Sequence, residues 1–300
     1  MELGNQPGDP GIVSGTGTEA GEAPAEEAAK PASSGRNLPV AAGVGVFLGG
    51  IVLLTLFTVK ATFMLFAGLA AAVALWEMGR ALGSKGIRVP VIPIGLGGAA
   101  MWLCEYWWTR NAVLAAFILT VVVLLGWRLA GGTDGYLRDV AASVFVLTYV
   151  PALALFLVAL LAPGDGARRV VTLVILVVCS DVGGYFAGSF LGRHPMAPAI
   201  SPHKTWEGTA GSVLACLIAG AILLPVLLHG HVWQGLLTGA AAVTAAVLGD
   251  LAESAIKRDL KIKDMGSLLP GHGGVLDRVD ALLVCAPVTW VLLAVFIPAR

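Results

Sequence analysis

The chain has 300 residues, 57% hydrophobic and 13% charged, with 39 glycines and a mean hydropathy of +0.85. An average soluble domain is about half apolar and about a quarter charged, so this composition excludes an ordinary cytosolic enzyme, a disordered chain and a coiled coil, and points to a multi-span membrane protein. Nineteen basic residues balance 19 acidic ones, so no basic surface suggests nucleic acid as a partner.

Residues 1–37 carry six acids (Glu2, Asp9, Glu19, Glu22, Glu26, Glu27) and two bases (Lys30, Arg36) among Gly, Ala, Pro and Ser. Such a segment cannot bury enough apolar surface to fold, and is expected to be a disordered acidic tail. It is not read as a signal peptide, because no basic n-region opens it and the apolar run starts late.

From residue 38 onward, apolar runs recur that match the ~20 residues a spanning helix needs. They predict nine spans: 38–59, 61–79, 90–108, 111–127, 140–162, 169–191, 209–229, 232–251 and 279–297. The expected fold class is therefore all-α, a polytopic integral membrane protein with about nine transmembrane helices, its membrane domain covering 38–300. On this layout 14 Lys and Arg residues share the side of the tail and five (Lys60, Arg110, Arg168, Arg169, Arg300) lie opposite, so the tail side is expected to be cytoplasmic.

Trp102, Tyr106, Trp107 and Trp108 are expected to form an aromatic belt at the outer interface. Gly45 with Gly49, and Gly184 with Gly188 and Gly192, have the four-residue spacing that lets helix backbones approach closely. Cys104, Cys179, Cys216 and Cys285 lie in apolar stretches without a CxxC pair and read as small buried residues.

Polar residues gather in a few places. Glu77 and Arg80 are spaced for an i,i+3 ion pair. Asp181 lies inside the sixth predicted span, and an intramembrane carboxylate is a functional candidate by default. Ser201-Pro-His-Lys204-Thr205-Trp-Glu207-Gly208 offers a lysine and two hydroxyls to a phosphate, although Ser201 or Thr205 could equally cap the following helix. Residues 250–280 hold 11 of the chain's 38 formal charges. Asp250 closes one apolar run, and Asp277 and Asp280, three apart on one helical face, open the next. Three carboxylates can thus converge on one cavity, and such hard oxygen ligands suit Mg²⁺ with substrate phosphates. Between them, Pro270-Gly271-His272-Gly273-Gly274 forms a loop whose backbone N–H groups could meet an anion. No P-loop and no HExxH is present.

The stretch from Ser254 to Asp280 has the pattern S-x-apolar-K-R, four spacers, K-D, then H-G-G-x-x-D-R-x-D. It resembles the signature of phosphatidate cytidylyltransferases (CDP-diacylglycerol synthases) without departure over its 27 positions. The octapeptide 201–208 is similar to that family's S-P-x-K-T-x-E-G element, and Asp181-Val-Gly183-Gly184-Tyr185 to its D-x-G-A-Y element, with Gly184 in place of Ala. The signature region is 180–297; earlier spans are similar mainly in hydropathy and in Trp76-Glu77.

The resemblance implies transfer of a cytidylyl group from CTP to phosphatidate within the bilayer, with Mg²⁺, and suggests a nearby K⁺ and a homodimer. It implies that Asp250 and Asp277 bind the metal, with Asp280 and Asp181 as further ligands. Lys204, Lys257, Arg258 and Arg278 would neutralise phosphates; Ser201, Thr205, Lys263, Gly273, Gly274 and His272 would touch substrate. Two alternatives stand beside this reading: a membrane nucleotidyltransferase for an isoprenoid-type lipid phosphate, and an ion-coupled transporter built on Asp181 and Asp250.

Overall fold

The computed structural model describes residues 49–51, 53–268 and 273–298. The predicted tail, Gly45 and most of the first predicted span lie outside the described residues, as does His272. A short apolar helical stretch, Gly49–Thr58, leads into α1 (Lys60–Gly83). There follow α2 (Val91–Trp107), α3 (Arg110–Leu129), α4 (Tyr136–Leu161) and α5 (Gly166–Leu191). A ribbon of β1 (Pro195–Ala197) and β2 (Ser201–Thr205) precedes α6 (Trp206–Leu228), α7 (Val232–Asp259) and α8 (Leu276–Phe296). Among the described residues seven helices are long and apolar enough to cross a membrane, and the fold is all-α apart from the two-stranded ribbon. The eighth, α2, has 17 residues.

Two boundaries differ instructively from the hydropathy reading. Helix α7 continues nine residues past Asp250, to Asp259. Its charged extension is helical because Glu253 and Lys257 pair at i,i+4, with Nζ 2.5 Å from Oε2. Helix α4 passes Pro151 through a π-helical turn, Thr148–Ala152, which absorbs the backbone bond that proline cannot donate. Gly98 of α2 packs against the Pro151 ring, where a Cβ would lie 2.7 Å from it. Trp102 donates from Nε1 to the Pro151 carbonyl at 3.2 Å and is 8% exposed. It therefore belongs to the core, while Trp107 and Trp108 are exposed as expected of a belt. Cys216 and Cys285 are buried as expected, whereas Cys104 and Cys179 are only partly so.

The half that carries the signature is built on close helix crossings, α5 on α6, α6 on α7 and α7 on α8. Small residues make these possible. A Cβ on Gly183 would lie 2.7 Å from the Gly211 carbonyl oxygen, and one on Gly220 or Gly235 would strike the other's carbonyl. At the α7–α8 crossing a Cβ on Gly249 would lie 3.0 Å from the Asp280 carbonyl oxygen, so the missing side chain brings the Asp250 and Asp280 backbones together.

In the other half, Arg128 at the end of α3 donates from Nε to the buried Asp139 carboxylate at 2.9 Å, and Arg138 approaches the same carboxylate at 3.1 Å. Arg128 also ties the intervening turn through the Gly132 and Asp134 carbonyls. Asp139→Ala leaves the Arg128 guanidinium buried without its counter-charge. The expected cost is about 3–5 kcal/mol, read as a fall on the order of 10 °C in the unfolding midpoint in detergent.

Candidate active site

The octapeptide 201–208 folds half as ribbon and half as helix start. Ser201–Thr205 pairs antiparallel with Pro195–Ala197. Thr205 caps α6, its Oγ1 accepting from the Gly208 N–H at 3.1 Å. Glu207, in the first turn, accepts from the Arg193 and His194 N–H groups, each at 3.2 Å, and holds the His194 ring at 2.5 Å. The strand thus leaves the helix at a fixed angle and carries Lys204 across to α7, where Nζ meets Asp250 Oδ2 at 2.8 Å.

A cavity of about 400 Å³ opens between the ribbon and α5–α8. Asp181 comes from α5, Asp250 and Glu253 from α7 and Asp280 from α8; Ser201, His203, Lys204 and Thr205 come from the ribbon. Gly184, Gly188 and Gly208 form bare backbone in the same wall, and Ser180, Ser212 and Ser254 add hydroxyls. Asp181 stands ten residues before the end of α5, about 15 Å from it along the axis. Of the residues singled out in the sequence, Asp181, Asp250, Asp280, Lys204, Ser201 and Thr205 are thus brought together.

Of the others, Lys257, Arg258, Lys263, Gly273, Gly274, Asp277 and Arg278 are described and are not in the lining of that cavity. Asp277 has a side chain only 5% exposed, and it faces the loop. It accepts from the Met265 N–H at 3.1 Å and the Gly274 N–H at 2.6 Å, and pairs with Lys257 at 2.7 Å. Asp277 and Asp280 lie a fraction of a turn apart on α8, which is enough to separate their roles: one organises the loop and the other lines the cavity. Gly273 has φ +79°, and a Cβ there would lie 2.7 Å from Asp277 Oδ2, so the turn requires glycine. Lys257 bridges Glu253 and Asp277, and Arg258 donates to the Ile200 carbonyl at 3.1 Å, tying the ribbon to the end of α7. Lys263 and Arg278 are exposed.

Sequence reasoning passed over Glu253. It is 3% exposed, one turn beyond Asp250 on the same helix, and it lines the cavity. One oxygen holds Lys257, while Oε1 is buried with no hydrogen-bond partner. A signal was present in the sequence, the i,i+3 spacing to Asp250 and i,i+4 spacing to Lys257. Its unmet acceptor, in one wall with Asp250, Asp280 and Asp181, is the donor chemistry that a hard divalent cation takes. Among the described residues no three acidic, His or Cys side chains close around one point; Asp250 and Glu253 are each turned to a lysine.

The expected Glu77–Arg80 pair is not formed. Glu77 is buried and accepts from the backbone N–H groups of Val275 and Leu276, at 3.1 and 2.9 Å, while Arg80 lies over the Trp76 ring at 4.8 Å from its centroid. The helix spacing permits the pair, but the N-terminus of α8 offers the carboxylate two N–H donors and a favourable dipole.

Carboxylates, a lysine and bare glycine backbone thus line one cavity of a helical, apolar body. The chain matches the Cytidylyltransferase family over residues 40–296, and it belongs to that family, which makes it a nucleotidyltransferase. It is 44% identical over 278 residues to the phosphatidate cytidylyltransferase of Mycobacterium leprae, covering 87% of this chain and 88% of that protein. It is 42% identical over 301 residues to that of Mycobacterium bovis, covering 93% and 97% respectively. It is 35% identical over 267 residues to that of Pseudomonas aeruginosa, covering 83% and 92%.

Proposed function

We propose that this protein transfers the cytidylyl group of CTP to phosphatidate, giving CDP-diacylglycerol and pyrophosphate. The observation that carries this reading is the cavity that sets Asp181, Asp250, Glu253 and Asp280 opposite Lys204 inside an apolar helical body. The nucleophile, the phosphate of phosphatidate, is already an anion, so little proton transfer is required. Catalysis is then positioning and charge neutralisation around the α-phosphorus as pyrophosphate departs. Lys204 meets the phosphates as a point charge, while Gly184, Gly188 and Gly208 leave room for them against the backbone.

We assign the metal to Asp250 and Asp280, with Asp181 and Glu253 completing the donor set and Asp277 holding the loop beside them. Bound there, Mg²⁺ would supply neutralisation of phosphate charge. Tyr185 lines the cavity and is 70% exposed at the helix surface beside Phe186 and Phe190, which supports sideways entry of a two-chain lipid from the bilayer. The excess of Lys and Arg on one side of the predicted layout supports a cavity that opens toward the cytoplasm.

The test is formation of lipid-soluble label from radiolabelled CTP by purified protein in mixed micelles. Label that requires both phosphatidate and Mg²⁺ is the expected result. Folded protein that labels only an isoprenoid-type lipid phosphate would overturn the substrate, and label without any lipid phosphate would overturn the reaction.

A further inference from the structure

Helix α8 carries Asp277 and Asp280, yet it starts without a cap of its own. Its N-cap residue is Val275, whose side chain cannot accept a hydrogen bond. The acceptors come from α1, nearly two hundred residues earlier: Glu77 Oε1 takes the Val275 N–H and Oε2 the Leu276 N–H. Glu77 is 1% exposed, and no cation pairs with it among the ion pairs of the described residues. A fully buried carboxylate in that position is sustained by the two amides and the positive end of the helix. The loop is moulded around it. A Cβ on Gly274 would lie 2.5 Å from Oε2, and one on Gly266 would collide with Oε1. Both glycines touch the machinery by sequence neighbours: Gly274 donates its N–H to Asp277, and Met265, beside Gly266, does the same.

We infer that Glu77 is a positioning residue of the active site: its carboxylate fork sets where α8 begins, and so where Asp277 and Asp280 stand. Glu77 is not in the lining of the cavity of Asp181, Asp250 and Asp280 but in that of a neighbouring one with Met265 and Gly266, so it acts through the signature loop. A local cap at Val275 could close the helix. It could not clamp the Gly266 and Gly274 strands on either side of one carboxylate, which is what holds the loop against α1. The inference rests on the proposed reaction for its kinetic readout and stands apart from it in its exchange readout.

The experiment compares wild type, Glu77→Gln, Glu77→Asp and Arg80→Ala in detergent. Gln keeps one acceptor but turns an NH₂ toward a backbone N–H. A displacement of about 1 Å at reacting groups costs about 100-fold, so Glu77→Gln is expected to lower kcat by that order, with KM for CTP and phosphatidate within about threefold of wild type. Amide exchange at Val275 and Leu276, measured without substrate or metal, is expected to speed up in Glu77→Gln. Glu77→Asp, which keeps the charged fork on a shorter stem, should recover part of both losses. Arg80→Ala should match wild type.

A Glu77→Gln protein with wild-type kcat, or with lost kcat but unchanged exchange at 275 and 276, overturns the inference. Failure of both Glu77 variants to fold also overturns it, because the carboxylate would then be a requirement of the fold as a whole. A wild-type protein that makes no CDP-diacylglycerol would instead sink the reaction and leave the exchange test standing.

Discussion

Asp250→Asn is expected to lower turnover by about 10³-fold while the unfolding midpoint stays near that of wild type, since loss of directed charge at a transferring phosphoryl group is worth that order. The stability side follows from exposure. The Asp250–Lys204 pair has side chains 37% and 20% exposed, and a pair of that kind is worth about 1 kcal/mol or less. The catalytic side follows from position, because Asp250 faces the cavity together with Asp280 and Asp181. Asp250 could serve only to aim Lys204, or it could also hold the metal. A double-mutant cycle with Lys204→Met separates these roles. If aiming is the whole role, the two single variants lose equally and the double loses no more. If Asp250 also holds the metal, the Mg²⁺ concentration for half-maximal rate rises in Asp250→Asn and not in Lys204→Met. Retained turnover with normal Mg²⁺ dependence would remove Asp250 from the site.

Asp277→Asn should damage stability as well as rate. A carboxylate that only held a metal would lose activity in an intact fold. The structure adds a second effect, because this carboxylate is buried, accepts two backbone amides and meets Lys257 at 2.7 Å. Asparagine keeps one carbonyl acceptor, loses the charge that balances Lys257, and presents an NH₂ where amides already point. The expected cost is about 2–3 kcal/mol, below the full loss of a buried pair because Glu253 still holds Lys257. Turnover is expected to fall about 100-fold, through the displaced loop and the start of α8. Thermal unfolding in detergent and kcat at saturating substrate check the two parts. A wild-type midpoint combined with a raised Mg²⁺ requirement would make Asp277 a direct metal ligand instead.

Much of the membrane body is legible in the sequence, because hydropathy is a local property and the bilayer imposes one length on every span. Helices α3 and α5 begin and end within a few residues of their predicted bounds. The charged end of α7 was not legible as helix, since its helicity rests on an i,i+4 pair rather than on apolar periodicity. The ribbon at 195–205 was equally hidden: three- and five-residue strands are too short to show a period. Trp102 looks the same as Trp107 in the sequence, and only the approach of Pro151 draws it into the core.

At the site, the chain by itself determined the residue types: carboxylates at helix ends, a lysine in a polar octapeptide, and glycines where the backbone must come close. Those follow from charge and size, which a sequence states outright. Only the tertiary structure decided how they divide the work. Residues far apart in the chain, Lys204 with Asp250 and Glu77 with Val275, meet because α5–α8 cross on glycine faces and α1 packs against the loop. Spacing along one helix tells which carboxylates share a face. It cannot tell that the backbone amides of the loop claim Asp277, leave Asp280 to the cavity, and take Glu77 away from the arginine three residues along.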